Sequence, residues 1–158
     1  MLVLTAAQLG QLITQAQNSY PEECCGLLLG HGKTVEQIWP TANSWTLEFS
    51  QAMPELLSSE PQFQSRRDRF AIAPREILQA QKFARTAGLA IIGIYHSHPD
   101  HPAVPSEYDR AIAWDIYSYL ILSVENHQVT TYRSWVLTGD RQFQEETLQI
   151  QPSQSRTL

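Results

Sequence analysis

Residues 89–99 have the sequence Leu-Ala-Ile-Ile-Gly-Ile-Tyr-His-Ser-His-Pro, in which a nearly unbroken apolar run ends in two histidines. Such a run predicts a strand over 89–95 that is buried on both faces in the middle of a sheet. A polar loop rich in proline follows as far as Pro105, and a helix is expected from Ser106 to about Trp114. The junction between this strand and this helix therefore carries the densest group of chemically active side chains.

Two further helices are expected before this strand. The first spans 5–19, because Thr5 and Gln8 form a capping-box pattern at its start. The second begins at Pro74, where a missing N–H costs nothing, and ends at Gly88. Their expected inward faces are Leu9, Leu12, Ile13 and Ala16 in the first helix and Ile77, Leu78, Gln81 and Ala84 in the second.

Shorter apolar runs between turn residues predict the remaining strands. These are expected at 24–29, 34–39, 46–49, 70–73, 117–124, 129–137 and 142–150. The last of them is expected to be a single edge strand. Residues 50–69 have the weakest pattern and are expected to form a loop with one helical turn near 55–57.

This mixture of strands with three helices predicts a layered α/β (α+β) fold around a central mixed, largely antiparallel β-sheet. The length of 158 residues suits one ordinary domain with a substantial core. We expect a single domain over residues 1–150 and a polar C-terminal tail over 151–158.

Composition and charge exclude several classes of protein. The net charge of −5 argues against a nucleic-acid partner, because phosphate contacts need clustered Lys and Arg. Arg66, Arg67 and Arg69 are the one such cluster, and Asp68 interrupts it. No apolar run reaches the ~20 residues that a membrane span needs, and no signal peptide is recognisable. We therefore expect no nucleic-acid partner and no membrane partner.

The two cysteines, Cys24 and Cys25, are adjacent in the sequence. Neighbouring strand residues point to opposite faces, so a disulfide between them would be strained. Metal-binding thiolates usually have C-x-x-C spacing, so a role as small apolar side chains is the simpler interpretation. Reduced thiols indicate a cytoplasmic protein.

His96, His98 and Asp109 are candidate metal ligands. Alternation along a strand places both imidazoles on one face, and Asp109 lies one helical turn beyond Ser106 at the start of the next helix. Two imidazoles and one carboxylate with an open fourth position suit a catalytic zinc ion. The same residues also have plain structural interpretations, because Ser106 and Asp109 fit a capping box and a lone histidine is usually not a ligand.

A hydrolytic metal site also needs a general base for its water, usually a carboxylate that does not bind the metal. Glu22 and Glu23 precede the strand at 24–29, where acidic residues normally face solvent. His101 is a competing ligand candidate, but its position in a loop fixes no direction, so we treat it as a bystander.

The sequence resembles the JAMM (MPN-plus) metalloprotease family. The motif is His96-x-His98-Pro99, five residues, Pro105-Ser106, two residues and Asp109, and the upstream stretch Pro21-Glu22-Glu23-Cys24-Cys25-Gly26-Leu27-Leu28-Leu29-Gly30 is also similar. The resemblance covers about residues 1–136 and implies a cytidine-deaminase-like JAMM/MPN fold. It implies one Zn2+ held by His96, His98 and Asp109, with Glu23 rather than Glu22 as general base and Ser106 as donor to the oxyanion.

The resemblance further implies hydrolysis of a peptide or isopeptide bond at the C-terminal tail of a ubiquitin-like protein. The short chain resembles the small prokaryotic type of this family, for which the resemblance implies a sulfur-carrier type of ubiquitin-like partner. Residues 41–69 lie where the family carries a variable insertion, and a substrate-docking or homodimer surface is one hypothesis for its apolar side chains, the alternative being packing on the domain. Those side chains are Phe49, Met53, Leu56, Leu57 and Phe63.

Three alternatives compete with the metalloprotease, two of them non-catalytic and one a different enzyme. A non-catalytic MPN-type interaction module could retain a zinc site, and a structural zinc domain would fill all four positions with Cys and His. Neither alternative needs both Glu23 and Ser106, which the chain retains. A zinc deaminase would show a Pro-Cys-x-x-Cys motif, and the sequence has none.

Overall fold

The computed structural model describes residues 1–52 and 65–153. Within these residues it contains four helices and eight strands. The helices are α1 (Ala6–Ser19), α2 (Leu47–Gln51), α3 (Pro74–Thr86) and α4 (Glu107–Ile112). The strands are β1 (Leu2–Thr5), β2 (Cys25–His31), β3 (Thr34–Thr41), β4 (Ala90–Pro99), β5 (Ser118–Glu125), β6 (Gln128–Leu137), β7 (Phe143–Glu146) and β8 (Leu148–Gln151).

The strands form one mixed sheet in the order β7-β6-β5-β4-β2-β3-β1-β8. Four neighbouring pairs are antiparallel, and three are parallel, namely β4 with β5, β1 with β3 and β1 with β8. The expected layered fold with a mixed, largely antiparallel sheet is confirmed. In the described residues, no helix is long and apolar enough to cross a membrane.

Alternation along β2 directs its side chains into two core layers. Leu28 faces α1 and packs in the largest apolar cluster, whereas Leu27 and Leu29 pack against Ala80 and Ala84 of α3. The sheet is therefore covered on both faces, and its central strands, β2 and β4, are buried as a nearly continuous apolar run predicts.

The first helix has the expected start and buried stripe. Thr5 Oγ1 accepts a hydrogen bond from Gln8 N, and Gln8 Oε1 accepts one from Thr5 N, which completes the capping box. The inward face of α3 agrees with the expected one at Ala84 but differs from it at Leu78 and Gln81. Ala80 and Ala84 face the sheet, whereas Leu78 is 51% exposed and Gln81 is also exposed. Small alanine side chains let the helix lie close to β2, which the apolar pattern alone did not indicate.

Two expected strands are wrong. Residues 46–49 contribute to α2, because Thr46 Oγ1 accepts from Phe49 N as a helix N-cap does. Residues 70–73 form no strand, because their main-chain groups bond outside any ladder: Tyr108 Oη donates to the carbonyl of Phe70. The helical turn expected near 55–57 and the apolar residues Met53, Leu56, Leu57 and Phe63 lie outside the described residues.

The expected single strand at 142–150 is also wrong. It is split at Thr147 into β7 and β8, which occupy opposite edges of the sheet. A twisted sheet brings its edges together, and here Glu146 accepts from the Met1 amino group at 3.0 Å and from Ser134 Oγ at 2.8 Å. The short strand β1, which local patterning missed, pairs with β8 from the far end of the sequence. In the C-terminal tail, residues 154–158 lie outside the described residues.

Candidate metal centre

His96, His98 and Asp109 converge at the end of β4. The Nε2 atoms of the two histidines are 2.9 Å apart. Asp109 Oδ2 lies 3.2 Å from Nε2 of His96 and 3.1 Å from Nε2 of His98. All three side chains are buried, and they are the group of candidate metal ligands found among the described residues.

Regular structure explains this convergence. β4 stays paired with β5 as far as Pro99, so His96 and His98 keep the alternation that places both rings on one face. Ser106 is the N-cap of α4, where its Oγ accepts from Asp109 N at 3.1 Å. Asp109 Oδ2 accepts from Ser106 N at 2.8 Å, which turns the carboxylate back toward the histidines. The expected capping box is therefore present, and it also orients Asp109.

Electrostatics favour the deprotonated forms of His96 and Asp109, which are the forms that a metal requires. Burial lowers the pKa of His96 and keeps its imidazole neutral, although Asp109 opposes this shift. Burial acts to raise the pKa of Asp109, but the electrostatic interaction with the neighbouring His96 and His98 rings outweighs burial and holds that pKa below its usual value. Metal ligands must be deprotonated in this way.

The geometry of the three atoms fits a tetrahedral cation. Nδ1 of His98 lies 2.8 Å from the carbonyl oxygen of Pro102, which can only accept, so Nδ1 carries a proton and, in the neutral tautomer that this bond selects, Nε2 is the acceptor. His98 Nε2 and Asp109 Oδ2 then face each other as two acceptors. Ligands about 2.0–2.1 Å from a tetrahedral zinc ion are about 3.3 Å apart, close to the observed separations.

The loop at 100–105 holds the Pro102 carbonyl in place. Asp100 N donates to the carbonyl of Val124 at 2.8 Å. Ser123 Oγ donates to the carbonyl of His101 at 2.6 Å, and Trp135 Nε1 donates to the carbonyl of Ala103 at 3.0 Å. Bonds on both sides of Pro102 thus orient the ring of His98, as partners of metal-binding histidines commonly do.

His96 is held differently. Its ring stacks on Phe70, with the centroids 4.4 Å apart and the planes at 21°. Its Nδ1 is buried and has no hydrogen-bond partner among the described residues. Whereas Nδ1 of His98 is held by a hydrogen bond, the ring of His96 is held by its stacking on Phe70.

Glu23 lies just before β2 and is 5% exposed, and its Oε2 is buried with no hydrogen-bond partner among the described residues. Burial raises the pKa of Glu23 well above its usual value, the charges of Asp109 and Asp68 add to this, and Arg69 opposes it. Glu22, by contrast, is exposed. Only one of the two neighbouring carboxylates therefore belongs to the buried site.

A cleft of about 330 Å³ brings the expected catalytic residues beside the ligands. Glu23, His98 and Ser106 line it together, and so do Arg69 and His101. The hydroxyl of Ser106 accepts from Asp109 N and retains its own proton for donation. His101 faces the cleft but is not part of the ligand group found among the described residues.

Two residues of this region had no signal in the sequence analysis. Asn43 donates to the carbonyls of Glu23 and Arg69, at 3.1 and 2.9 Å. Arg69 lies in the interrupted arginine cluster, and its guanidinium is 4.8 Å above the ring of Tyr108. Both depend on contacts between distant segments, which no local pattern reveals.

The two cysteines are free thiols and are buried. Burial raises the pKa of Cys24 to about 11 and that of Cys25 to about 12. Cys25 packs with Phe70 and Tyr108 in the apolar cluster beneath the site. The thiols therefore act as small core side chains.

Comparison of the sequence with known proteins gives a family match and a similar curated protein. A family described as prokaryotic homologs of the JAB domain matches residues 5–138. The chain is 31% identical over 134 residues to the desampylase of Haloferax volcanii, covering 83% of this chain and 80% of that protein.

Solved structures agree on the architecture. The solution structure of protein DSY2949 from Desulfitobacterium hafniense has a TM-score of 0.73 and 31% identity, covering 99% of this chain and 97% of that one. A structure described as a JAMM metalloprotease-like zinc site in the proteasome and signalosome has a TM-score of 0.53 and 14% identity, covering 95% and 96%. At that low identity, the second likeness concerns the fold alone.

Proposed function

Because this chain belongs to the family of prokaryotic homologs of the JAB domain, we propose that it is a JAMM-type metal-dependent hydrolase. The observation that carries the proposal is that His96, His98 and Asp109 each offer a candidate ligand atom and that these atoms all lie within 4.8 Å of one another. They lie beside a cleft that Glu23 also lines. The catalytic unit of this proposal is a single domain over residues 1–150.

We propose one Zn2+ as the cofactor, held by His96, His98 and Asp109. Two neutral imidazoles and one carboxylate are a common ligand set of catalytic zinc, which keeps its fourth position for water or substrate. When bound, zinc would supply Lewis acidity, which polarises a carbonyl and brings the pKa of water to about 7.

Glu23 and Ser106 act as proton carrier and hydrogen-bond donor in this mechanism. The Glu23 carboxylate takes a proton from the attacking water and returns it to the leaving amine, because one carboxylate can serve both steps. A pKa raised by burial makes the Glu23 carboxylate a stronger base than an exposed glutamate. The Ser106 hydroxyl donates to the oxygen on which negative charge develops.

The substrate proposed is a peptide or isopeptide bond at the C-terminal tail of a ubiquitin-like, sulfur-carrier type of protein. The similarity to a desampylase favours a ubiquitin-like modifier as the partner. An extended tail suits a narrow cleft, because it exposes both its main-chain groups and its scissile carbonyl.

The test compares wild type, Glu23→Gln and the matched control Glu22→Gln. Each is analysed for zinc content and for cleavage of a ubiquitin-like carrier protein with a C-terminal extension. We expect about one zinc in all three proteins, because neither glutamate is a ligand. Cleavage is expected from wild type and Glu22→Gln only, since Glu22 is exposed and lies outside the cleft lining.

Other outcomes separate the alternatives. Zinc without cleavage of ubiquitin-like carriers by the wild type would support the non-catalytic interaction module. Loss of zinc in Glu23→Gln would place Glu23 among the ligands. Absence of zinc from the wild type at neutral pH would remove the proposed metal centre altogether.

A further inference from the structure

Glu23 directly precedes β2, but its main chain is held by other segments than the two strands that pair with β2. Its N–H donates to the carbonyl of Arg66 at 2.7 Å, and its carbonyl accepts from Asn43 Nδ2 at 3.1 Å. The register of β2 with both neighbouring strands begins only at Cys25. The main chain of Glu23 is therefore fixed by segments 20 and 43 residues away in sequence.

Asn43 uses its full hydrogen-bonding capacity on main-chain groups. Its Nδ2 donates to the carbonyls of Glu23 and Arg69, at 3.1 and 2.9 Å. Its Oδ1 accepts from the N–H groups of Trp45 and Ala71, at 3.1 and 3.2 Å. An amide offers two donors and one oxygen with two lone pairs, so all four positions are occupied.

These bonds tie three irregular segments together beside the cleft. Ser44 N also donates to the carbonyl of Ala71 at 2.8 Å, so residues 43 and 44 meet residues 69–71 directly. Arg69, whose carbonyl Asn43 holds, lines the cleft with Glu23. Two of the three ligands have separate supports, because His98 and Asp109 are bonded to the 100–105 loop and to the cap of α4. His96 touches the segment held by Asn43 only through the stacking of its ring on Phe70.

We infer that Asn43 is the positioning residue for Glu23, which extends the proposed function by one residue and rests on it. Asn43 touches no reacting atom. It fixes the main chain from which the Glu23 carboxylate reaches the cleft, and it holds Arg69 in the same wall. Removal of the Asn43 amide displaces the base, leaves His98 and Asp109 in place and affects His96 only through its stacking on Phe70.

The test uses Asn43→Asp, which has the same shape but cannot donate to the two carbonyls. The control is Asn18→Asp, which makes the same change at an exposed position of α1. Zinc content, kcat and KM are measured on the ubiquitin-like carrier with a C-terminal extension. For Asn43→Asp we expect about one zinc, a KM within about twofold of wild type and a kcat lower by about 10- to 100-fold, because small misplacements of a catalytic group have effects of this size. Asn18→Asp should match wild type.

A second measurement does not depend on hydrolysis or on folding of the charged variant. Asn43→Ala removes the same bonds without adding charge, and amide hydrogen exchange is compared with wild type. We expect the Glu23 and Ala71 amides to exchange at least about tenfold faster, while Leu28 in β2 is unchanged.

Unchanged kcat in folded Asn43→Asp, or unchanged exchange at Glu23 in Asn43→Ala, would overturn the inference. Parallel loss of kcat and zinc would also overturn it, because Asn43 would then be a general structural residue. If wild type cleaves no ubiquitin-like carrier, the proposed function fails, and the exchange measurement still decides whether Asn43 fixes Glu23.

Discussion

The two sides of the cleft are built in different ways. On the ligand side, β4 carries His96 and His98 in regular pairing with β5, and the capping box of α4 orients Asp109. On the base side, Glu23 stands outside regular structure and is fixed by Asn43 and by the carbonyl of Arg66. Metal coordination requires ligand distances accurate to tenths of an ångström, which a strand and a capped helix provide. The base is held instead by hydrogen bonds between segments that are distant in sequence.

The largest effect, a loss of zinc affinity, is expected when a proposed metal ligand is removed. Asp109→Ala removes the atom that faces both histidines, and we expect zinc affinity to fall by more than about 100-fold, beyond the loss typical of outer partners. Zinc content after gel filtration, together with chelator competition, measures this. The matched change is His101→Ala, which removes a side chain of the same cleft and should leave zinc affinity unchanged. Equal losses in both variants would contradict the ligand set.

A smaller effect is expected from the loop that supports His98. Trp135→Phe keeps the aromatic ring but removes the N–H that donates to the carbonyl of Ala103. Zinc affinity should fall by about 10- to 100-fold, the range for partners that orient a metal ligand. Chelator competition with Trp114→Phe as control checks this, because Trp114 is 65% exposed. An unchanged affinity in Trp135→Phe would show that the loop does not orient His98.

This contrast also explains what the sequence could predict. The ligand side follows from local rules, since strand alternation and a Ser-x-x-Asp cap together bring His96, His98 and Asp109 to one place. The base side follows from no local rule, because the partners of Glu23 are Asn43 and Arg66. Only the resemblance to a known family distinguished Glu23 from Glu22, and burial in the structure separates the same pair.

The same limit applies to the fold. Long apolar runs located β2, β4 and β5, because burial on both faces leaves a strong local pattern. The errors occurred where distant contacts decide the structure. Thr147 separates two strands at opposite sheet edges, and residues 70–73 bond to Asn43 and Tyr108 instead of to a strand. A cap from Thr46 starts a short helix where the short apolar run predicted a strand.

On the base side, the raised pKa of Glu23 should be visible in the pH dependence of the free energy of unfolding. Its pKa is raised in the folded state, so between the usual value near 4.5 and the raised value the folded chain binds more protons than the unfolded chain. The free energy of unfolding of the metal-free protein should therefore fall as pH rises through that window, by up to about 1.4 kcal/mol for each pH unit that the window spans.

Thermal unfolding in the presence of a chelator at pH 5 and pH 8 measures this dependence. In Glu23→Gln the contribution of the carboxyl group is absent, so the loss of stability between the two pH values should be smaller than in wild type. Glu22→Gln should behave as wild type because Glu22 is exposed. Identical pH dependence in all three proteins would show that Glu23 is not held in a desolvated position.

The smallest effect is expected where the two sides meet. Phe70 belongs to the irregular segment that Asn43 holds, and its ring stacks on His96 of the ligand side. Phe70→Leu keeps an apolar side chain but removes the stacking, which is worth about 0.5–1.5 kcal/mol and should lower zinc affinity by roughly 2- to 10-fold. Phe83 of α3 forms a comparable ring contact with Trp39 of β3, outside the site. The control Phe83→Leu disrupts that contact and should leave zinc affinity unchanged. A loss for Phe70→Leu as large as that for Trp135→Phe would mean that packing orients His96 as firmly as hydrogen bonds orient His98. The base side of the cleft would then determine zinc affinity as well as the position of the group that transfers the proton.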